Sequence, residues 1–198
     1  MANESPGELN LVALGPLTNI AMAIQLDPKL PEKYRSLTVL GGAVYAMGNS
    51  WMPAAEFNFY IDPESAAIVL DRWPGLTIVP WETAMKFGLS RQQYADLIGI
   101  DTPRAKFFQR IFHDRFLMQI EELGICYDPD PLAMAVALEP DIVREAKSRH
   151  VEVELGGKLT RGQTVVDWFD ITGQPANVNM VLEVDPERLI KLMKLSLQ

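Results

Sequence analysis

Short apolar runs and longer amphipathic segments alternate along this chain of 198 residues. Residues 9–14, 37–40 and 76–79 have the length and composition of buried strands. A glycine and a proline at residues 15–16 follow the first run, and helical spacing continues over residues 17–25. A strand, a turn and a helix form the repeating unit of a parallel sheet covered by helices. The alternation therefore predicts an α/β fold with a mostly parallel, Rossmann-like sheet flanked by helices.

The rest of the chain adds helices and a tail that contains strands. Helices are predicted to begin at residues 62–64, with Asp62 as the N-cap, at residue 130 and at residues 185–187. Further helices are predicted between residues 90 and 123, with a break near Thr102 and Pro103. In the tail, alternating or apolar runs predict strands over residues 151–155, 164–168 and 178–184.

Composition and charge favour one globular domain over residues 1–198 that acts on a neutral small molecule. Of the residues, 48% are hydrophobic and 22% are charged, which suits a sizeable core. The net charge of −8 argues against nucleic acid and anionic membranes as partners. The single cysteine, Cys126, has no partner for an internal disulfide. Residues 1–6 lack the pattern of a signal peptide and no apolar run is long enough to span a membrane, so a cytoplasmic location is predicted.

A polar pair, Glu56 and Asn58, interrupts an apolar stretch. In an extended segment two residues that lie two apart point to the same side. They would then present a carboxylate and an amide to the hydroxyl groups of one small ligand. The alternative interpretation is that both are ordinary turn residues before a helix.

The predicted helices between residues 90 and 123 carry aromatic and aliphatic side chains at helical spacing. These side chains belong either to the core, which the pattern favours, or to a lid that packs on a site. They are Phe107, Phe108, Ile111, Phe112, Phe116 and Leu117.

Five motifs in order, at residues 14–21, 39–42, 54–59, 128–133 and 160–167, resemble the inosine-uridine preferring nucleoside hydrolase family. The resemblance extends from about residue 6 to the end of the chain. It implies a nucleoside hydrolase-like α/β fold and hydrolysis of a ribonucleoside to ribose and free base. It also implies a bound calcium ion.

The same resemblance implies roles for particular residues. Asn49, Glu56 and Asn58 match positions that bind the ribose hydroxyls in the family, and such bonds can strengthen as an oxocarbenium-like state forms. Asp130 matches a carboxylate ligand of the calcium ion, and Thr18 matches a residue whose backbone carbonyl reaches it. The residues alone also allow Asp130 to be an N-cap and Thr18 to be a residue of the first helical turn.

The chain departs from the family pattern in three places. One extra residue separates Asn49 from Glu56, and Pro129 stands where many relatives have a histidine that protonates the leaving base. The two histidines lie elsewhere; His113 is expected on a helix surface or satisfied in the core, and His150 is expected to face solvent. The aspartate-rich motif that supplies the water-activating base and most calcium ligands in the family does not occur. No catalytic residue is therefore identified, and tight calcium binding by this chain alone is not expected.

Two functions follow from these observations. In the first, the sequence belongs to a longer cytosolic nucleoside hydrolase, and the activity is that of the longer protein. In the second, the chain is a catalytically inactive binding or interaction subunit, and an exposed sheet edge would favour homo-oligomers. The pair Gly41 and Gly42 after a strand does not continue into a phosphate-binding motif, so a nucleotide site is disfavoured.

Overall fold

A computed structural model describes residues 1–198 and contains nine strands and eight α-helices. The strands are β1 (Asn10–Ala13), β2 (Ser36–Leu40), β3 (Leu76–Val79), β4 (Gly88–Ser90), β5 (Ile125–Tyr127), β6 (Val143–Arg149), β7 (Val151–Val153), β8 (Thr164–Val166) and β9 (Val178–Val184). The helices are α1 (Thr18–Leu26), α2 (Phe57–Ile61), α3 (Pro63–Arg72), α4 (Trp81–Ala84), α5 (Arg91–Ile98), α6 (Pro103–Leu123), α7 (Pro129–Leu138) and α8 (Pro186–Ser196).

The central sheet has five strands in the order β1-β2-β3-β9-β6. The first four are parallel to one another, and β6 pairs antiparallel with β9 at the edge. This arrangement confirms the predicted α/β fold with a mainly parallel sheet. The parallel strands all end at one edge of the sheet, which is where ligands bind in open α/β folds.

Helices bury both faces of the sheet, as expected for parallel strands. Leu37 and Val39 of β2 belong to a core cluster with α1 and α3 on one face. Leu40 of the same strand belongs to a second cluster with α7 and α8 on the other face. Because side chains alternate along a strand, the apolar run of β2 supplies both cores.

Capping side chains begin several of the predicted helices. The side chain of Asp62 accepts a hydrogen bond from the backbone N–H of Ser65, and Thr102 caps α6 in the same way. Asp185 caps α8 through the backbone N–H groups of Glu187 and Arg188. A side-chain oxygen at the N-cap satisfies helix N–H groups that have no partner within the helix, which sets where each helix starts.

Two features of the sheets had no prediction. The edge strand β6 is mostly exposed and rich in charged residues, so its sequence lacks the apolar alternation of a strand. Charged side chains on an edge strand also discourage pairing with other chains. The second feature is a small antiparallel sheet in which β4 pairs with β5.

None of the helices combines the length and hydropathy that crossing a membrane requires.

The aromatic helix α6 is only partly a core element. Phe116 is buried and contacts the rings of Phe108 and Phe112. Phe107 and Ile111 lie on the other side of the helix and are exposed. The core interpretation is therefore right for Phe116 and wrong for Phe107 and Ile111, because the helix buries only one face.

Cys126 lies in β5, is fully buried, and burial raises the pKa of its thiol to about 11. Because the thiolate is the reactive form, native Cys126 is expected to react with Ellman's reagent at pH 8 at least about 100-fold more slowly than Cys126 of the urea-unfolded chain. The release of thionitrobenzoate measures both rates. Equal rates in the two states would contradict the buried placement of the thiol.

Candidate functional site

The candidate site lies at one edge of the sheet, where three strands end. Pairing of Ala13 with Val39, and of Leu40 with Val79, places the ends of β1, β2 and β3 side by side. Leu14, the Gly41–Gly42 pair and Pro80 follow these strand ends. Loops at such an edge are free to carry binding side chains, because the strands themselves are fixed by the core.

Glu56 is buried at the N-cap of α2, beside the end of β2. Its Oε1 accepts a hydrogen bond from the N–H of Asn58 at 2.8 Å, and its Oε2 accepts from Gly42 at 3.1 Å and from Phe59 at 3.2 Å. Burial raises the pKa of Glu56 to about 7, against the effect of these bonds, and the nearby Asp130 carboxylate adds to the rise. Glu56 therefore joins β2 to α2 and can change its charge near neutral pH.

Asn58 lies in the first turn of α2. The expected extended segment over Glu56 and Asn58 is therefore wrong, because the Glu56 side chain caps a helix. The alternative of two turn residues before a helix is right for Glu56, which precedes α2, and wrong for Asn58, which lies in it. The two side chains still lie together at the end of β2, since Asn58 Nδ2 donates to the Leu40 carbonyl at 3.0 Å. Its Oδ1 accepts no hydrogen bond from the protein and is not sealed from solvent. This oxygen can accept a hydrogen bond from a ligand.

Asn49 reaches the same helix from the preceding loop. Its Oδ1 accepts a hydrogen bond from the N–H of Phe57 at 2.7 Å, while its own N–H donates to the Ala55 carbonyl. Asn49 is exposed, and its Nδ2 donates to no protein atom. The longer spacing between Asn49 and Glu56 thus still brings both residues to the start of α2.

The backbone at the end of β2 requires glycine. A Cβ at Gly41 would lie 2.5 Å from the Phe59 ring, and Gly42 has a φ of +82° with Thr164 Oγ1 only 2.8 Å from its Cβ position. Thr164 Oγ1 instead accepts a hydrogen bond from the N–H of Ala43 at 3.0 Å. The absence of side chains at these two glycines lets α2 and β8 approach the strand end closely.

Asp130 faces a neighbouring cavity of about 370 Å³. It lies in the first turn of α7, whose N-cap position is Asp128, so the alternative that Asp130 is the N-cap is wrong. Burial raises the pKa of Asp128 to about 6, with Asp130 adding to the rise; burial also raises the pKa of Asp130, against the effect of Arg115. The cavity is lined by Leu14, Phe108, Phe112, Asp128, Asp130, Pro131, Met134, Met193, Ser196 and Leu197.

Thr18 lies outside the lining of this cavity. It is the first residue of α1, and its hydroxyl donates a hydrogen bond to Asp62 Oδ2. Leu14, at the end of β1, is the residue of this segment that lines the cavity with Asp130. The roles of Thr18 and Asp130 as metal ligands stay predictions.

The side chains of this chain alone do not fit a calcium ion. No three His, Cys, Asp or Glu side chains lie close enough together to hold a metal. Calcium normally takes six to eight oxygen ligands, and the two neighbouring carboxylates Asp128 and Asp130 fall short of that number.

Both histidines lie away from Glu56 and Asn58. His113 is half-buried, and its Nδ1 is 3.1 Å from the hydroxyl of Tyr94, in agreement with a histidine satisfied by its helix surroundings. His150 is half-buried rather than solvent-facing, because its side chain lies between Glu152 and the Pro175 carbonyl.

Glu82 and Thr164 also belong to the site, although neither had a predicted role. Glu82 follows the end of β3 and accepts hydrogen bonds from three backbone N–H groups of the loop after β2. A single acidic residue just after a buried strand is a signal for this edge of the sheet. Thr164 gave no such signal, since it lies far along the chain and acts through one hydroxyl.

Comparison with known proteins identifies the family. Residues 1–191 match the sequence model of the inosine-uridine preferring nucleoside hydrolases. The chain belongs to this family. Pyrimidine-specific ribonucleoside hydrolases RihA from Salmonella newport and Citrobacter koseri are each 32% identical, over 98% and 96% of the chain. The chain spans 63% and 61% of the length of these two nucleoside hydrolases.

Solved structures of nucleoside hydrolases have the same fold. An inosine-guanosine nucleoside hydrolase is 31% identical with a TM-score of 0.84, covering 93% of this chain and 60% of that one. The plant nucleoside hydrolase PpNRh1 is 31% identical with a TM-score of 0.88, covering 99% of this chain and 64% of that one. These matches confirm the predicted nucleoside hydrolase fold over nearly the whole chain.

Proposed function

We propose that this nucleoside hydrolase chain binds the ribose of a ribonucleoside through Asn49, Glu56 and Asn58, and takes part in hydrolysis of the bond between sugar and base. The observation that carries the proposal is the buried pair Glu56 and Asn58 at the end of β2. Both are fixed by backbone contacts, and Asn58 Oδ1 is left to accept a bond from a ligand. Asn49 Nδ2 supplies a donor beside them.

The geometry suits the transition state of such a reaction. Cleavage of a glycosidic bond passes through an oxocarbenium-like state in which positive charge grows on the sugar ring. Hydrogen bonds from the sugar hydroxyls to Glu56 and Asn58 would strengthen as that charge grows. Because both side chains are already held in place, binding costs little reorganisation.

The cavity beside Asp130 is the proposed place of the base. The rings of Phe108 and Phe112 and the flexible side chain of Met134 offer an apolar surface to a flat heterocycle. The pyrimidine and purine preferences of the relatives are properties of those proteins, and base preference is not part of this proposal.

Titration calorimetry with inosine and uridine, with and without added CaCl2, tests the proposal together with an assay for released ribose. The variant Asn58→Leu removes the amide at similar volume and is expected to lower affinity by about tenfold, the effect of one lost hydrogen bond in a buried site. Asn3→Leu, at an exposed position, is the matched control. Equal affinity of Asn58→Leu and the unmodified chain, or no binding of either nucleoside, would contradict the proposal.

A second function, as a subunit that associates with another copy, is favoured by one observation. Strand β1 is the outer strand of the sheet, and it contains neither a charged residue nor a proline to discourage pairing. Light scattering across a concentration series would detect the association. A monomer at all concentrations would exclude it.

A further inference from the structure

Glu82 is a buried carboxylate that binds no ligand and no metal in the proposed function. It lies in α4, directly after β3, and its residue is 6% exposed. Its Oε1 accepts hydrogen bonds from the N–H groups of Tyr45 at 2.8 Å and Met47 at 3.2 Å, and its Oε2 accepts from Val44 at 3.1 Å. A buried carboxylate is costly unless such bonds compensate for lost hydration. The three bonds therefore tie the loop after β2 to the end of β3.

Other backbone N–H groups of this loop are also bonded. Glu56 accepts from Gly42, and Thr164 accepts from Ala43. The N–H of Gly48 donates to the Pro53 carbonyl, and that of Asn49 donates to the Ala55 carbonyl. The loop is thus fixed along its length by contacts from several elements, and Glu82 holds its centre.

The centre of the loop is where the backbone needs support. Ala46 has a φ of 59°, in the left-handed region that alanine rarely adopts. Glu82 binds the N–H groups on both sides of Ala46, at Tyr45 and Met47. A strained residue persists where its neighbours are fixed, so loss of the Glu82 carboxylate would release this turn.

We infer that Glu82 is a positioning residue for ribonucleoside binding, which acts by holding the loop that carries Asn49. The inference rests on the proposed function, because Asn49 is a proposed sugar contact. Glu82 itself does not contact the sugar. It fixes the centre of the loop, and Asn49 lies two residues after Met47, the last residue of the loop that donates a hydrogen bond to Glu82.

Replacing Glu82 with glutamine tests the charge and the acceptor pattern at constant shape. Both carboxylate oxygens accept bonds from N–H groups, so a glutamine amide must turn a donor toward at least one of them. We expect Glu82→Gln to lower the affinity for inosine and uridine by about tenfold in titration calorimetry. Glu82→Asp keeps the acceptors on a shorter side chain and is expected to recover part of the affinity. Glu187→Gln, at an exposed position in α8, is the matched control.

A double-mutant cycle separates positioning from a general loss of structure. If Glu82 acts through Asn49, Glu82→Gln should change affinity less than about twofold in a chain that already carries Asn49→Ala. A role limited to stability would give the same change in both backgrounds. That result, or unchanged affinity of Glu82→Gln alone, would overturn the inference. If Glu82→Gln does not fold, Glu82→Asp is used in the same cycle with the same criterion.

A ligand-free measurement distinguishes failure of this inference from failure of the proposed function. In NMR spectra, Glu82→Gln should shift the side-chain amide signals of Asn49 and leave those of Asn177, which donates to Leu70 and Val151, unchanged. If neither nucleoside binds the unmodified chain, the proposed function fails, and shifted Asn49 signals still support the positioning of the loop. Unshifted Asn49 signals overturn the inference in either case.

Discussion

Replacing Gly48 with alanine is expected to lower the free energy of unfolding by about 3 kcal/mol, the upper part of the range for overpacking a closed site. A Cβ at Gly48 would lie 2.1 Å from the carbonyl oxygen of Ala55 and 2.5 Å from its backbone nitrogen. Backbone atoms cannot move aside as a flexible side chain can. The added methyl group would therefore break the hydrogen bonds that the N–H groups of Gly48 and Asn49 donate to the carbonyl groups of Pro53 and Ala55. Urea denaturation followed by circular dichroism measures the change.

Gly156→Ala is the matched control for this substitution. Its nearest contact would be Glu154 Oε1 at 3.7 Å, an ordinary van der Waals distance, and its φ lies outside the left-handed region. Both variants add one methyl group, so the difference between them isolates the close approach of the loop to Ala55. If Gly48→Ala were as stable as Gly156→Ala, the backbone at Gly48 would not lie as close to Ala55 as described.

Replacing Phe116 with alanine is expected to cost about 4 kcal/mol of stability, as for other buried aromatic residues. Its side chain is almost completely enclosed, and its ring lies 5.3 Å from that of Tyr94, centre to centre, in an edge-on arrangement. Two further rings, those of Phe108 and Phe112, lie within 5.8 Å of it. Truncation of Phe116 leaves a cavity. Phe108 and Phe112 could fill it only by moving away from the cavity beside Asp130, which they line.

Phe107→Ala provides the comparison on the same helix. Phe107 is 65% exposed, and its replacement is expected to change stability by no more than about 0.5 kcal/mol. Thermal or urea unfolding measures the stability loss of each variant. Both variants replace a phenylalanine of α6 with alanine, so a difference between the losses reports which side of the helix faces the core. Similar losses for both variants would be inconsistent with the orientation of α6.

The strands that bury both faces were predictable because their sequences contain the cause of their burial. Residues 37–40 and 76–79 are apolar at three of their four positions, with a threonine at the second, and β2 and β3 indeed lie inside the sheet between helices. The caps Asp62 and Asp185 were equally visible, since a capping side chain acts within three residues of its own position.

Features that depend on distant contacts were not predictable in the same way. The charged strand β6 exists because β9 offers it hydrogen bonds, and nothing in its own sequence alternates. The Glu56 side chain accepts a hydrogen bond from Gly42 and caps α2. The segment that was expected to be extended is therefore helical from Phe57. Glu82 lies 35 to 38 positions along the sequence from its partners, so the local sequence around Glu82 does not indicate which loop it binds.

Family membership explains why the candidate residues could be named without knowing their geometry. The motif at residues 54–59 identifies Glu56 and Asn58 regardless of whether the backbone is a strand or a helix. The resemblance did not lead to Glu82, which lies outside the five motifs. The hydrogen-bond pattern of the folded chain is what reveals it.

The proposed sugar contacts come from one continuous stretch, residues 49–58, whereas α6, α7 and α8 supply most of the cavity beside Asp130. Substitutions in those three helices can change the size and polarity of the cavity without touching the loop that Glu82 holds. The two halves of a nucleoside would then be selected by separate parts of the chain. Selectivity for the base could diverge among relatives while recognition of the pentose is inherited unchanged.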